Sequence, residues 1–162
     1  MKKSILLSFV CLITAGMICG CGGKTVEVKQ PSVNSWQSWD YASKNKPVVI
    51  TSMAGFCGYC KMMAPLLDKL AQEYKGRNVE FVFAFVDEKL EEIHEIVKNA
   101  GITTATVLYN GGQFAQMMEV ESFPSIFLID NTNKDSLLVD EWYGYSESHI
   151  PEIKSKIDQT LK

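Results

Sequence analysis

A run of mostly β-branched residues, Pro47-Val48-Val49-Ile50-Thr51, passes after a short link into Cys57-Gly58-Tyr59-Cys60. Lys61-Met62-Met63-Ala64-Pro65-Leu66-Leu67 follows and has helical character. A strand that hands over to a helix through two thiols is a narrow specification. The spacing lets the pair close into a disulfide and open again, and the amides at a helix start favour the thiolate form of a sulfur placed there. The expected chemistry is thiol–disulfide exchange. Cys57 opens the helix and Cys60 lies one turn inside it.

The other cysteines point to a compartment. Met1-Lys2-Lys3 precedes an apolar run from Ile5 to Ile18, too short for a comfortable membrane span, so residues 1–20 read as a signal peptide. The run ends Ile18-Cys19-Gly20-Cys21, which resembles the lipobox of bacterial lipoproteins, with Cys21 as the lipidated residue. Cys19 suits that role less well, because Gly16 stands where the aliphatic residue is needed. Of the 5 cysteines, Cys11 and Cys19 then leave with the leader, and Cys57 and Cys60 remain as the free thiols. A disulfide between them closes a tiny loop and constrains the unfolded chain little, so the pair is functional rather than a staple.

The 16 basic and 19 acidic side chains give a net charge of −3, more negative still once Lys2 and Lys3 are removed. That balance excludes a nucleic-acid partner and leaves membrane attachment to the lipid. Residues 21–34 are polar, hold Gly22, Gly23, Pro31 and Ser32, and read as a tether. As a flexible coil of about 13 residues it reaches roughly 20 Å from the membrane. Residues 35–162 form one domain.

Within that domain strands and helices alternate. Trp36, Trp39, Tyr41 and Ala42 suggest a short helix, and Pro47–Met53 a buried strand. Helices are expected over Tyr59–Tyr74, Lys89–Asn99 and Glu147–Leu161, with a helical turn at Phe114–Met118. Val79–Val86 and Ala105–Leu108 read as strands, and Ser125–Ile129 with Leu137–Trp142 as a hairpin looped through Asp130–Asp135. This is an α/β pattern.

The segment from Pro47 to Pro65 resembles a thioredoxin-fold active site. Phe56 supplies the aromatic before the first cysteine, and Pro65 the proline five residues after the second. Phe123-Pro124-Ser125 before Ile126-Phe127-Leu128-Ile129 matches the family's second motif, a cis proline facing the dithiol. Between Asp87 and that proline, a helix and a strand resemble the insert of TlpA/ResA-like proteins. The resemblance implies a thioredoxin-like α/β fold: a central mixed sheet flanked by helices, with a TlpA-like helix–strand insert before the cis-proline strand. It also implies a membrane-tethered, extracytoplasmic oxidoreductase that acts on disulfide- or thiol-containing envelope proteins and is fed by a membrane redox donor; with no dimerisation domain in view, a monomer is expected. Cys57 is the implied nucleophile and Cys60 the resolving thiol, supported by Phe56, Gly58, Tyr59, Phe123 and Pro124.

The chain departs from the family in places. Thr51 stands where thioredoxins carry a buried aspartate, Met53 and Phe56 occupy the usual tryptophan positions, and the amino-terminal hairpin of TlpA-like proteins is missing. Gly58-Tyr59 is the dipeptide of bacterial disulfide isomerases, so an oxidase or isomerase stays open, as does a peptide-binding module with an idle dithiol. No second CxxC or histidine pair accompanies the first, so no metal or organic cofactor is expected. Met62, Met63, Met117 and Met118 read as core filler, and His94 and His149 as surface residues. Trp36, Trp39 and Trp142 read as packing, while Phe123 is either core or substrate platform.

Overall fold

Val48 to Met53 is buried at all six positions, which requires a strand covered on both faces. The computed structural model describes residues 31–40, 45–86, 89–133 and 136–162, and places this strand, β2, inside a six-stranded mixed sheet. In chain order the elements are β1 (Val33–Ser35), a 3₁₀ turn (Trp36–Ser38), β2 (Val48–Met53), α1 (Gly58–Glu73), β3 (Glu80–Phe85) and α2 (Leu90–Asn99). They continue with β4 (Thr106–Tyr109), α3 (Gly112–Met117), β5 (Ser125–Asp130), β6 (Leu137–Tyr143) and α4 (His149–Thr160). The strand order is β1-β4-β3-β2-β5-β6. β2 runs parallel to β3 and antiparallel to β5, with Thr51 opposite Phe83 on one side and Ile126 on the other.

Alternation along the strands splits the core in two. Val49 and Met53, with Phe81, Phe83, Phe85 and Leu128, pack beneath Met63, Leu67 and Leu70 of α1, Ile93 and Val97 of α2, and Ile153 and Ile157 of α4. Val48, Ile50, Val82, Ala84 and Phe127 face the other way, under Phe114 of α3, with Trp36 and Trp39 packed alongside. This is a thioredoxin-like fold. The expected insert is present as α2 and β4, and β4 lies between β3 and β1, parallel to both.

The amino-terminal reading needs correction. Val33 and Asn34, expected in the tether, form β1 with Ser35 and pair with Val107, Leu108 and Tyr109. The helix expected at Trp36 and Trp39 is a single 3₁₀ turn. Three residues carry no readable period, and the open edge of β4 decides their conformation. Trp36 does pack, 5.0 Å from the ring of Phe114 and 5.5 Å from Trp39. The signal peptide, Cys21, Tyr41, Ala42 and Asp87 lie outside the described residues.

α1 and α4 are joined by Tyr74, which packs on Phe81 of β3. Its hydroxyl donates to Asp158 Oδ1 at 2.9 Å, and Arg77 donates to the same oxygen at 2.8 Å. Burial, then this bond to a carboxylate, pushes the phenol up to about 12. The folded state therefore holds this proton more tightly than the unfolded chain, whose tyrosines titrate near about 10. The stability that Tyr74 contributes is complete below pH about 10 and is lost as pH rises towards about 12. Tyr74→Phe should remove the highest step in the phenolate absorbance titration and flatten the alkaline fall in stability.

Candidate active site

The turn after β2 puts the first sulfur at a helix terminus. The Cys57 amide donates to the Ala54 carbonyl at 3.0 Å, closing the turn, and Cys57 takes an extended conformation as the N-cap of α1. Its Sγ accepts the Cys60 amide at 3.1 Å, the role that a serine or aspartate oxygen plays in an ordinary cap. Cys57 is half-buried, whereas Cys60 is 2% exposed, and both are free thiols.

The second motif meets this sulfur from the other side of the sequence. Phe123–Pro124 is a cis peptide, and the Cys57 thiol donates to the Phe123 carbonyl at 3.4 Å. Pro124 is buried, and its carbonyl accepts the Gly144 amide at 2.8 Å. Ser125 Oγ donates to the Ser122 carbonyl at 2.7 Å and braces the same loop. Phe56, 79% exposed, stands edge-on to Phe123 with ring centroids 6.4 Å apart. Tyr59, 61% exposed, lies parallel to Tyr145 at 6.3 Å. A Cβ on Gly58 would meet no atom within 4 Å, so the outer face of the turn is open. Phe123 packs against the core, and its carbonyl and ring contact Cys57 and Phe56.

Thr51 is fully buried with its hydroxyl unpartnered. Thr51 shares its face of β2 with Val49 and Met53, which pack towards α1, so a hydroxyl occupies the α1 side of the sheet where thioredoxins have a carboxylate. An open cavity of about 320 Å³ borders the dithiol turn at Gly55 and Lys61 and is lined on its other side by Glu92, Glu95 and Ile96 of α2, which brings the insert to the edge of the site. Met63 is core, but Met62 and Met117 are exposed, so the core-filler reading fails for those two. His94 is exposed, and His149 is half-buried with its Nδ1 unpartnered. Among the described residues no three His, Cys, Asp or Glu side chains converge as metal ligands do, and no helix is long and apolar enough to cross a membrane.

Asp68 was missed by sequence reasoning. Buried in the middle of α1, it accepts the amides of Thr103, Thr104 and Ala105 at 3.0, 2.9 and 2.8 Å, the Thr103 hydroxyl at 3.1 Å and the Gln72 amide at 3.1 Å. It thereby clamps the segment that enters β4 to the helix that carries the thiols. The available signal was a carboxylate lying among the helix's apolar core positions, beside Leu67 and Ala71.

A dithiol that caps its own helix and meets a cis proline at the end of neighbouring strands of a mixed sheet defines a protein of the thioredoxin class. The family model described as thioredoxin matches residues 28–112, more than half of the chain, and the chain belongs to that family. The match stops short of Phe123–Pro124. A chloroplast thioredoxin M-type of Spinacia oleracea is 33% identical over 63 residues, 39% of this chain and 34% of that one. Thioredoxin-2 of Saccharomyces cerevisiae is 32% identical over 74 residues, 44% of this chain and 65% of that one. The chain thus spans about a third of the spinach protein's length, at 34%, and less than two thirds of the yeast protein's, at 65%. Among solved structures, a Chlorobium tepidum protein proposed to be the thiol:disulfide interchange protein DsbE superposes with a TM-score of 0.69 at 17% identity, over 83% of this chain and 95% of that one. At that identity the likeness is one of fold.

Proposed function

We propose that this protein is a thiol–disulfide oxidoreductase that reduces disulfides in envelope proteins through the Cys57–Cys60 dithiol, held on the extracytoplasmic side of a membrane by lipid on Cys21. The observation that carries the reading is the asymmetry of the two sulfurs. Cys57 is reachable at the helix N-terminus, where the Cys60 amide points at it, and Cys60 is sealed beneath. The Cys57 thiolate attacks one sulfur of a substrate disulfide, that S–S bond breaks, and the departing substrate sulfur takes a proton. Cys60 then attacks the Cys57 sulfur, releases the second substrate thiol and leaves a Cys57–Cys60 disulfide. Two electrons pass to the substrate, and a membrane redox donor returns them. With Thr51 in the aspartate's place, the Cys60 proton leaves to water rather than to a buried carboxylate.

Reduction is the direction favoured by the TlpA/ResA-like insert. Equilibrating the protein against glutathione tests it. A reduction potential near thioredoxin's, about −270 mV, is expected, whereas a value above about −180 mV makes the protein an oxidant or isomerase. For the anchor, Cys21→Ala should move the protein from the membrane fraction to the soluble one. A variant that stays membrane-bound overturns lipid anchoring.

A further inference from the structure

The cavity of about 320 Å³ between the dithiol turn and α2 has no part in the exchange steps, and its two walls carry opposite charges. One wall belongs to α1. Lys61 follows Cys60, and its amide donates to the Cys57 carbonyl at 3.4 Å, which places Lys61 one helical turn from the reactive cysteine. The other wall is a single face of α2. Glu92, Glu95 and Ile96, with Ala100 at the end of the helix, recur at spacings of three and four residues and therefore share that face. Ile96 and Ala100 are half-buried and form its apolar part, and the charged groups stand exposed at the rim.

The charges are not spent on each other. Glu92 is engaged by Lys89 at 3.0 Å. Among the described residues neither Lys61 nor Glu95 makes an ion pair, so a cation and an anion line one opening without meeting. Gly55 borders the same opening two residues before Cys57, at most about 7 Å from it along the chain. The volume lies at the small end of the range for ligand sites. A wholly anionic occupant would meet Glu95, and a wholly cationic one Lys61. A small molecule that carries one charge of each sign satisfies both.

We infer that this cavity receives the α-amino-acid end of a small zwitterionic disulfide, cystine by its chemistry, with the α-carboxylate against Lys61 and the α-ammonium against Glu95. The inference rests on the oxidoreductase reading and adds a substrate class to it. The Cys57 thiolate attacks the cystine sulfur nearer the cavity, the cystine S–S bond breaks, and the outer half leaves as cysteine after taking a proton. Cys60 then attacks the Cys57 sulfur and releases the half held in the cavity as a second cysteine. Two electrons pass from the dithiol to cystine, and the protein is left with a Cys57–Cys60 disulfide.

The test measures the rate at which four disulfides oxidise the fully reduced, full-length protein. Cystine carries both charges, cystamine lacks the carboxylate, dithiodipropionate lacks the ammonium, and hydroxyethyl disulfide lacks both. Each rate is divided by that of the same disulfide with dithiothreitol, which removes differences in leaving-group reactivity. Cystine should lead each singly charged analogue by about two- to fivefold, the scale of one exposed charge pair, and the lead should shrink at high ionic strength. Lys61→Met should bring cystine down to the level of cystamine, and Glu95→Gln should bring it down to the level of dithiodipropionate. No lead for cystine in the wild type, or a lead untouched by both substitutions, overturns the inference. So does an equal loss on all four disulfides, because that reports a change in the thiolate rather than in the cavity. A wild-type protein oxidised by none of the four overturns the oxidoreductase reading instead.

Discussion

Replacing Cys57 with serine should abolish insulin reduction, by on the order of 10³-fold or more, as removal of a nucleophile does. The hydroxyl keeps the cap. A serine oxygen accepts the Cys60 amide as well as the sulfur does at 3.1 Å, so the helix start and the fold should survive, and thermal unfolding should be nearly unchanged. Cys60 cannot substitute, because it is buried on the inner face of α1. Cys60→Ala should fail in a different way. The first attack proceeds and the second cannot, so covalent Cys57–substrate disulfides should accumulate and appear on non-reducing gels. Activity surviving in Cys57→Ser means that Cys57 is not the nucleophile. Absence of trapped adducts in Cys60→Ala favours a peptide-binding module with an idle dithiol.

Asp68→Ala should be the most destabilising single change outside the sulfur pair. The carboxylate answers three consecutive backbone amides together with the Thr103 hydroxyl and the Gln72 side chain. Alanine leaves those amides facing a methyl group with no water in reach of Ala105, which is buried. Each unanswered buried group costs about 1–3 kcal/mol, and the whole change about 3–5 kcal/mol. Urea denaturation should show a lower midpoint with an unchanged slope. Asp68→Asn, which keeps one acceptor oxygen and turns an NH₂ group towards the amides, should fall between the two. A midpoint unmoved by Asp68→Ala would mean that the clamp contributes nothing. Because Cys57 lies about three turns upstream of Asp68 along α1, the folded fraction should keep its exchange activity.

Much of the architecture was legible locally. β2 is all apolar or β-branched except Ser52, and the alternating faces of β3 and β5 follow from a side-chain period of two. The helices α1, α2 and α4 carry core residues at helical spacing. The amino terminus was not legible. β1 has one apolar residue, Val33, and becomes a strand because β4 offers it an unpaired edge. Met62 and Met117 were misread for a related reason: methionine suits either a core or a surface, and only its position on a packed helix decides.

The sequence by itself determined the chemistry available and the order of the two sulfurs. A cysteine at a helix start with another one turn inside presents its first sulfur to amides and solvent and buries its second, and these are properties of the local chain. Only the tertiary structure decided what surrounds that sulfur, the Phe123 carbonyl, Phe56 on Phe123 and Tyr59 on Tyr145, and what Asp68 holds further along α1, the amides of Thr103–Ala105. The physical reason is range. Capping and periodicity act within a few residues, whereas these contacts join segments tens of residues apart. Those around the sulfur exist because β5 pairs with β2, and β6 with β5, which brings the ends of distant loops to the same helix terminus.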